Sequence, residues 1–208
     1  KSGMLPPKLA QIMINLAQAN QADTILDPFC GSGTVLQEAL MLGYTNIIGS
    51  DISAKAIMNC RNNVDWLKTK YNFKIDWVKI YELDVRNLAH KINLASVDAI
   101  ITEPYLGEPD KSKVLVLRSS KSGGGKTQKF EDLEKLYLDS FQQFYQVLKP
   151  GGRVVIVLPI INGQKMEILG AIVEVGFTND KLSDNERGSI IYGRAGQMVE
   201  REIFLFKK

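Results

Sequence analysis

Six short runs rich in branched and aromatic residues recur along the chain, each set apart from the next by a longer stretch. They are "ADTILD" ending at Asp27, "NIIGSD" ending at Asp51, "DWVKIYELD" ending at Asp84, "VDAIIT" leading into Glu103, "RVVIVLP" from Arg153 and "REIFLF" from Arg201. Their length and composition read as strands. Most of the stretches between them carry a helical period. Leu9, Ile12, Met13 and Leu16 share one face after two prolines, and Ile57, Cys60, Val64 and Leu67 share another behind Ser53, a natural N-cap. "GTVLQEALMLG" reads as a helix closed by Gly43, and "FEDLEKLYLDSFQQFYQVL" presents Phe130, Leu133, Tyr137, Phe141, Phe144 and Leu148 as a stripe that "KPGG" ends. "QKMEILGAIVEVG" reads as the last helix. Such alternation predicts an α/β fold, a mostly parallel sheet with helices on both faces.

Within that frame the 208 residues suit a single domain, 1–208. No apolar run approaches the roughly 18–20 residues that cross a bilayer, and the start "KSGMLPPKLA" lacks a signal-peptide core. A cytoplasmic protein is expected. The first residue is Lys1, which fits a catalytic piece with an RNA-binding domain upstream. Cys30 and Cys60 form neither a CxxC pair nor a group with histidine, so no metal is expected. The single histidine, His90, sits in a polar stretch and reads as a surface residue. The net charge of +3 is uneven: Lys111, Lys113, Arg118, Lys121, Lys126 and Lys129 outweigh Glu108 and Asp110 in the aperiodic stretch 108–129, which includes "SGGGK". That stretch reads as a flexible basic loop, with "KVLVL" (113–117) as its one segment capable of order.

Asp27, Asp51, Asp84 and Glu103 fall at or just past the ends of four successive strands. Ligands of open α/β sheets bind at that edge, where four acids repel one another unless a ligand uses them as acceptors. After Asp27 comes a glycine turn, Gly31 and Gly33, followed by Leu36 where a dinucleotide fingerprint would place its third glycine. A carboxylate beside the turn also disfavours a pyrophosphate, which needs bare backbone N–H groups. It suits a ligand carrying an ammonium and a sulfonium and no phosphate, S-adenosyl-L-methionine. Gly31 and Gly33 would then let the backbone pass close to the ligand, Asp51 accept the ribose hydroxyls and Asp84 accept from the adenine amine.

"DPFCGSGT" and "LKPGGRVVIVLP" resemble motifs of class I S-adenosylmethionine-dependent methyltransferases that modify exocyclic amines. "GMLPPKLAQIMINLA" and "YGRAGQMVEREIFLF" further resemble the tRNA guanosine N2-methyltransferases that carry a THUMP domain. The resemblance implies a Rossmann-like, seven-stranded sheet whose last strand is antiparallel, and an N-terminal helix within 1–20 over the cofactor. It adds Phe29, Cys30, Ile52 and Val85 to the cofactor set; for Phe29, core packing remains the alternative.

In such enzymes an Asp or Asn, two prolines and an aromatic follow the fourth strand. The acid or amide and a backbone carbonyl accept from the target amine, and the aromatic stacks on the base. Here the stretch is Glu103-Pro104-Tyr105-Leu106-Gly107. Glutamate reaches one methylene further, and Tyr105 stands where the second proline would be, so Glu103, Pro104 and Tyr105 are the catalytic candidates. Glu103 as a cofactor contact stays open beside its role as amine acceptor. The basic loop Lys111–Lys129 is placed to meet the phosphates of an RNA substrate, tRNA. DNA adenine-N6 or cytosine-N4 methylation, and a non-catalytic cofactor- or RNA-binding module, are the competing readings. A C5-cytosine reaction needs a nucleophilic cysteine after the fourth strand, and none is there. The oligomeric state is not legible.

Overall fold

The structure, a computed structural model, describes residues 4–107, 125–193 and 197–208. The first part of the expected basic loop, with "KVLVL", lies outside them. The elements run α1 (Pro7–Ala17), β1 (Thr24–Asp27), α2 (Thr34–Met41), β2 (Asn46–Asp51), α3 (Ala54–Tyr71), β3 (Val78–Glu82), α4 (Leu88–Lys91), β4 (Val97–Thr102), α5 (Gly125–Val147), β5 (Leu148–Ile161), α6 (Leu169–Val175), β6 (Thr178–Asn179), β7 (Ile190–Tyr192) and β8 (Val199–Lys207). Among the described residues they form one sheet in the order β3-β2-β1-β4-β5-β8-β6, with β7 added on β8. The first five strands are parallel. β8 enters antiparallel to β5, β6 and β7. The seven strands of the main path match the architecture the sequence implied, and β7 is a short extra ribbon.

Strand alternation divides the core between two faces. Ile25, Ile47, Ala99, Ile101, Val155, Val157 and Ile203 belong to the cluster with α1, α2 and α3. Leu26, Ile100, Val154, Ile156, Leu158, Phe204 and Phe206 belong to the cluster with α4, α5 and α6. Tyr137, Phe141 and Phe144 of α5 are fully buried there. Phe141 meets Phe177 and Phe206 edge-on, with centroids 5.3 Å apart in both pairs, a favoured aromatic geometry.

Several boundaries differ from those the sequence suggests. α5 begins at Gly125, five residues earlier than its apolar stripe, and so takes in Lys126 and Lys129 of the expected loop. β5 starts at Leu148, directly after α5, and "KPGG" is an irregularity inside the strand: Val97 pairs with Leu148, and the register then jumps to Ala99 with Arg153. Gly151 takes φ +79° there, a backbone conformation that glycine adopts without penalty. The third strand starts at Val78 because Ile75–Trp77 form a 3-10 turn. The last helix keeps only Leu169–Val175; ahead of it Met166 and Ile168 enter the core from non-helical backbone.

Candidate functional site

The carboxyl ends of β1 to β4 open into a cavity of about 830 Å³, within the size range of small-ligand sites. Asp27, Phe29, Cys30, Gly31, Asp51, Ile52, Asp84 and Val85 line it, as do Glu103, Pro104 and Tyr105. Every site residue expected from sequence is in this lining except Gly33. Gly33 caps α2 with φ +87°, and a Cβ there would lie 2.6 Å from the Cys60 sulfur. Glycine at this position therefore lets α2 pack on α3. At Gly31 (φ +52°) a Cβ would meet open space.

The parallel register brings the four acids to one edge, and the fold supplies each with donors. Asp27 is 3% exposed. Its Oδ1 accepts from the Thr102 hydroxyl at 2.7 Å and the Phe29 N–H at 3.1 Å. Burial pushes its pKa up to about 7, with Asp51 and Glu103 adding to the rise. Asp51 accepts from the Gly31 N–H at 3.0 Å and the Ser53 N–H at 2.9 Å, tying the glycine turn and the start of α3 to the end of β2. Ser53 caps α3 through Ala56 N–H, as its position suggested.

The other two acids hold arginines. Arg86 Nε lies 3.0 Å from both Asp84 oxygens, its backbone N–H donates to Oδ1 at 2.9 Å, and this partner holds the Asp84 carboxyl below its usual range. Arg201 of β8 grips Glu103 in a two-point pair, Nε to Oε2 at 2.8 Å and Nη2 to Oε1 at 3.0 Å. The pair is largely buried, with the two side chains 10% and 8% exposed. Internal donors therefore relieve the repulsion that sequence reasoning assigned to a ligand. Both arginines also line the cavity, and the sequence reading missed both. Arg86 had a local signal, since it sits two residues after an acid at a strand end; Arg201 had none.

Pro104 is buried, Tyr105 is 56% exposed on the cavity, and Leu106 packs against the core. Tyr105 is thus the exposed ring of this segment. Its carbonyl accepts from the Tyr137 hydroxyl at 3.3 Å. Burial, with the nearby Glu103 charge, pushes that hydroxyl well above its usual range. Cys30 is buried, and the hydrogen bond with the Cys60 thiol and its burial raise its pKa, so no thiolate forms near neutral pH. Met4 and Leu5, ahead of α1, close one side of the cavity. Among the described residues no helix is long and apolar enough to cross a membrane.

A family model described as "RMKL-like, methyltransferase domain" matches residues 1–116. The chain belongs to this methyltransferase family. Among curated proteins it is 37% identical over 108 residues to the tRNA (guanine(10)-N2)-dimethyltransferase of Methanocaldococcus jannaschii, covering 50% of this chain and 29% of that one. It is 31% identical over 157 residues to the enzyme of the same name from Methanothermobacter thermautotrophicus, covering 76% and 39%. The chain thus spans well under half the length of these relatives. The crystal structure of TrmN from Thermus thermophilus superposes over 100% of this chain and 50% of its own, with TM-score 0.69 and 22% identity. That likeness shows the shared fold.

Proposed function

We propose that this chain is the catalytic domain of an S-adenosylmethionine-dependent methyltransferase acting on an exocyclic amine of RNA, guanine N2 of tRNA. The observation that carries the reading is one cavity holding Asp27 and Asp51 beside the glycine turn and Glu103 at the end of β4. The donor set fits the cofactor. Both described donors to Asp27 use Oδ1, which leaves Oδ2 for a cationic group. Arg201 is held by Glu103, and the carboxyl groups of Asp27 and Asp51 beside the glycine turn disfavour a pyrophosphate. Asp51 would take the ribose and Asp84, once Arg86 yields, the adenine. Phe29, Cys30, Gly31, Ile52 and Val85 would form the walls, and Met4 and Leu5 the cover. When bound, S-adenosylmethionine would supply an electrophilic methyl group on a sulfonium, with S-adenosylhomocysteine as the leaving group and the amine's proton passing to water.

The chain's own residues position the amine. Glu103 and the Pro104 carbonyl accept its N–H groups and aim the nitrogen lone pair, while Tyr105 stacks on the base. A strong base is unnecessary, because the nitrogen becomes acidic only as the new bond forms. The gain lies in orientation for in-line displacement. The lysines and arginine of 111–129 would meet tRNA phosphates, and a cytoplasmic location would fit a tRNA substrate. The names of the curated relatives support tRNA over DNA. The test is transfer of labelled methyl to tRNA and to duplex DNA, with nucleoside mass spectrometry of the product. N2-methylguanosine is expected. Label in DNA adenine or cytosine alone, or absence of S-adenosylhomocysteine binding by calorimetry at high micromolar concentration, would overturn the proposal.

A further inference from the structure

Arg201 reaches Glu103 from 98 residues away in the chain. It stands on β8 opposite Pro159 of β5, and β5 in turn pairs with β4. Successive β8 side chains point to opposite faces. Arg201 faces the cavity, and Glu202 is buried with Lys165, Arg187 and Ser189 as partners. The strand is therefore anchored on one side of the residue that grips the acid on the other.

A fork of two parallel N–H···O bonds sets the position of a carboxylate and also its plane. Each carboxylate oxygen offers about two acceptor sites, so one per oxygen remains after Arg201 has taken its share. Glutamate is long enough to reach this fork; an aspartate at 103 falls one methylene short.

We infer that Arg201 is a positioning residue for methyl transfer: its two-point grip fixes the Glu103 carboxylate in position and at one angle, so that the substrate amine finds its acceptor in place. The inference rests on the reading of Glu103 as amine acceptor. It explains why glutamate stands here: the extra methylene and the arginine form one unit.

A double-mutant cycle tests it, using kcat and KM for tRNA and calorimetric affinity for S-adenosylhomocysteine. Arg201→Met is expected to lower kcat about 100-fold, the scale of a small misplacement of a reacting group, with cofactor affinity nearly unchanged. Arg201→Lys, a point charge without the fork, should recover part of the rate. In a Glu103→Gln background Arg201→Met should cost little further, because its effect runs through the lost carboxylate. That double variant holds no buried unpaired charge. If Arg201→Met alone does not fold, Arg201→Lys is compared in the two backgrounds instead. Equal losses in both backgrounds, or an unchanged kcat in Arg201→Met, would overturn the inference and leave the proposed function standing. A wild-type protein that binds S-adenosylhomocysteine but methylates no tRNA guanine would overturn both.

Discussion

At the scale of single residues, Asp27 shows how the fold changes a side chain that the sequence displays openly. The acid at the end of the first strand was legible; its immersion was not, because burial depends on every element around it. With the carboxyl pushed up to about 7 from an ordinary value near 3.9, the native state holds a proton that the unfolded chain has released across that window. Stability is therefore highest below the unfolded value. It falls as pH rises from about 4 to about 7, by on the order of a few kcal/mol. Asn at this position still accepts at Oδ1 and carries no charge. Asp27→Asn is expected to flatten the fall in melting temperature between pH 5 and 8 and to be more stable than wild type at pH 8. Parallel pH profiles of the two proteins would count against a buried acid here. The same variant should weaken S-adenosylhomocysteine binding if Oδ2 faces the ligand's cation.

At the scale of elements, strands with a run of apolar residues could be read from sequence, and the second half of the chain was read less completely. β6 has two residues and β7 three, too short for any period to register. Residues 164–168 have the composition of a helix, yet their core contacts hold them outside α6. What fixes this region is a charged cluster. Glu202 is fully buried, and its Oε1 accepts from Lys165 at 3.2 Å, Arg187 at 3.1 Å and the Ser189 hydroxyl at 2.7 Å. Arg187 also donates to the Met166 carbonyl at 2.8 Å. One carboxylate thus fastens the segment before α6 and the β6–β7 connection to β8. Removing one partner of such a group strands the others without compensation. Glu202→Ala is expected to cost about 3–5 kcal/mol, read from the urea midpoint, and to speed amide exchange in 164–168 and 185–192 before other regions. A loss below about 1 kcal/mol would make the cluster an ordinary surface pair.

At the scale of the whole molecule, the cavity draws on the chain from Met4 to Arg201. The four acids were visible because parallel strands bring their carboxyl ends to one edge; Arg201 was invisible because only the β5–β8 pairing brings it back to Glu103. The segment before α1, the glycine turn after β1, the ends of β2 and β3, and residues 103–107 all line it, so a ligand filling it would stabilise distant parts of the sequence at once. Saturation at 100 times Kd should add about 2.7 kcal/mol to unfolding. By exchange mass spectrometry, S-adenosylhomocysteine is expected to slow peptides covering 4–9, 28–35 and 103–107. The same experiment should leave β6 and β7, at the far side of β8, unchanged. Protection confined to 28–35 would mean that the ligand sits on the glycine turn alone and that the amino-terminal segment and the β4 end take no part in holding it.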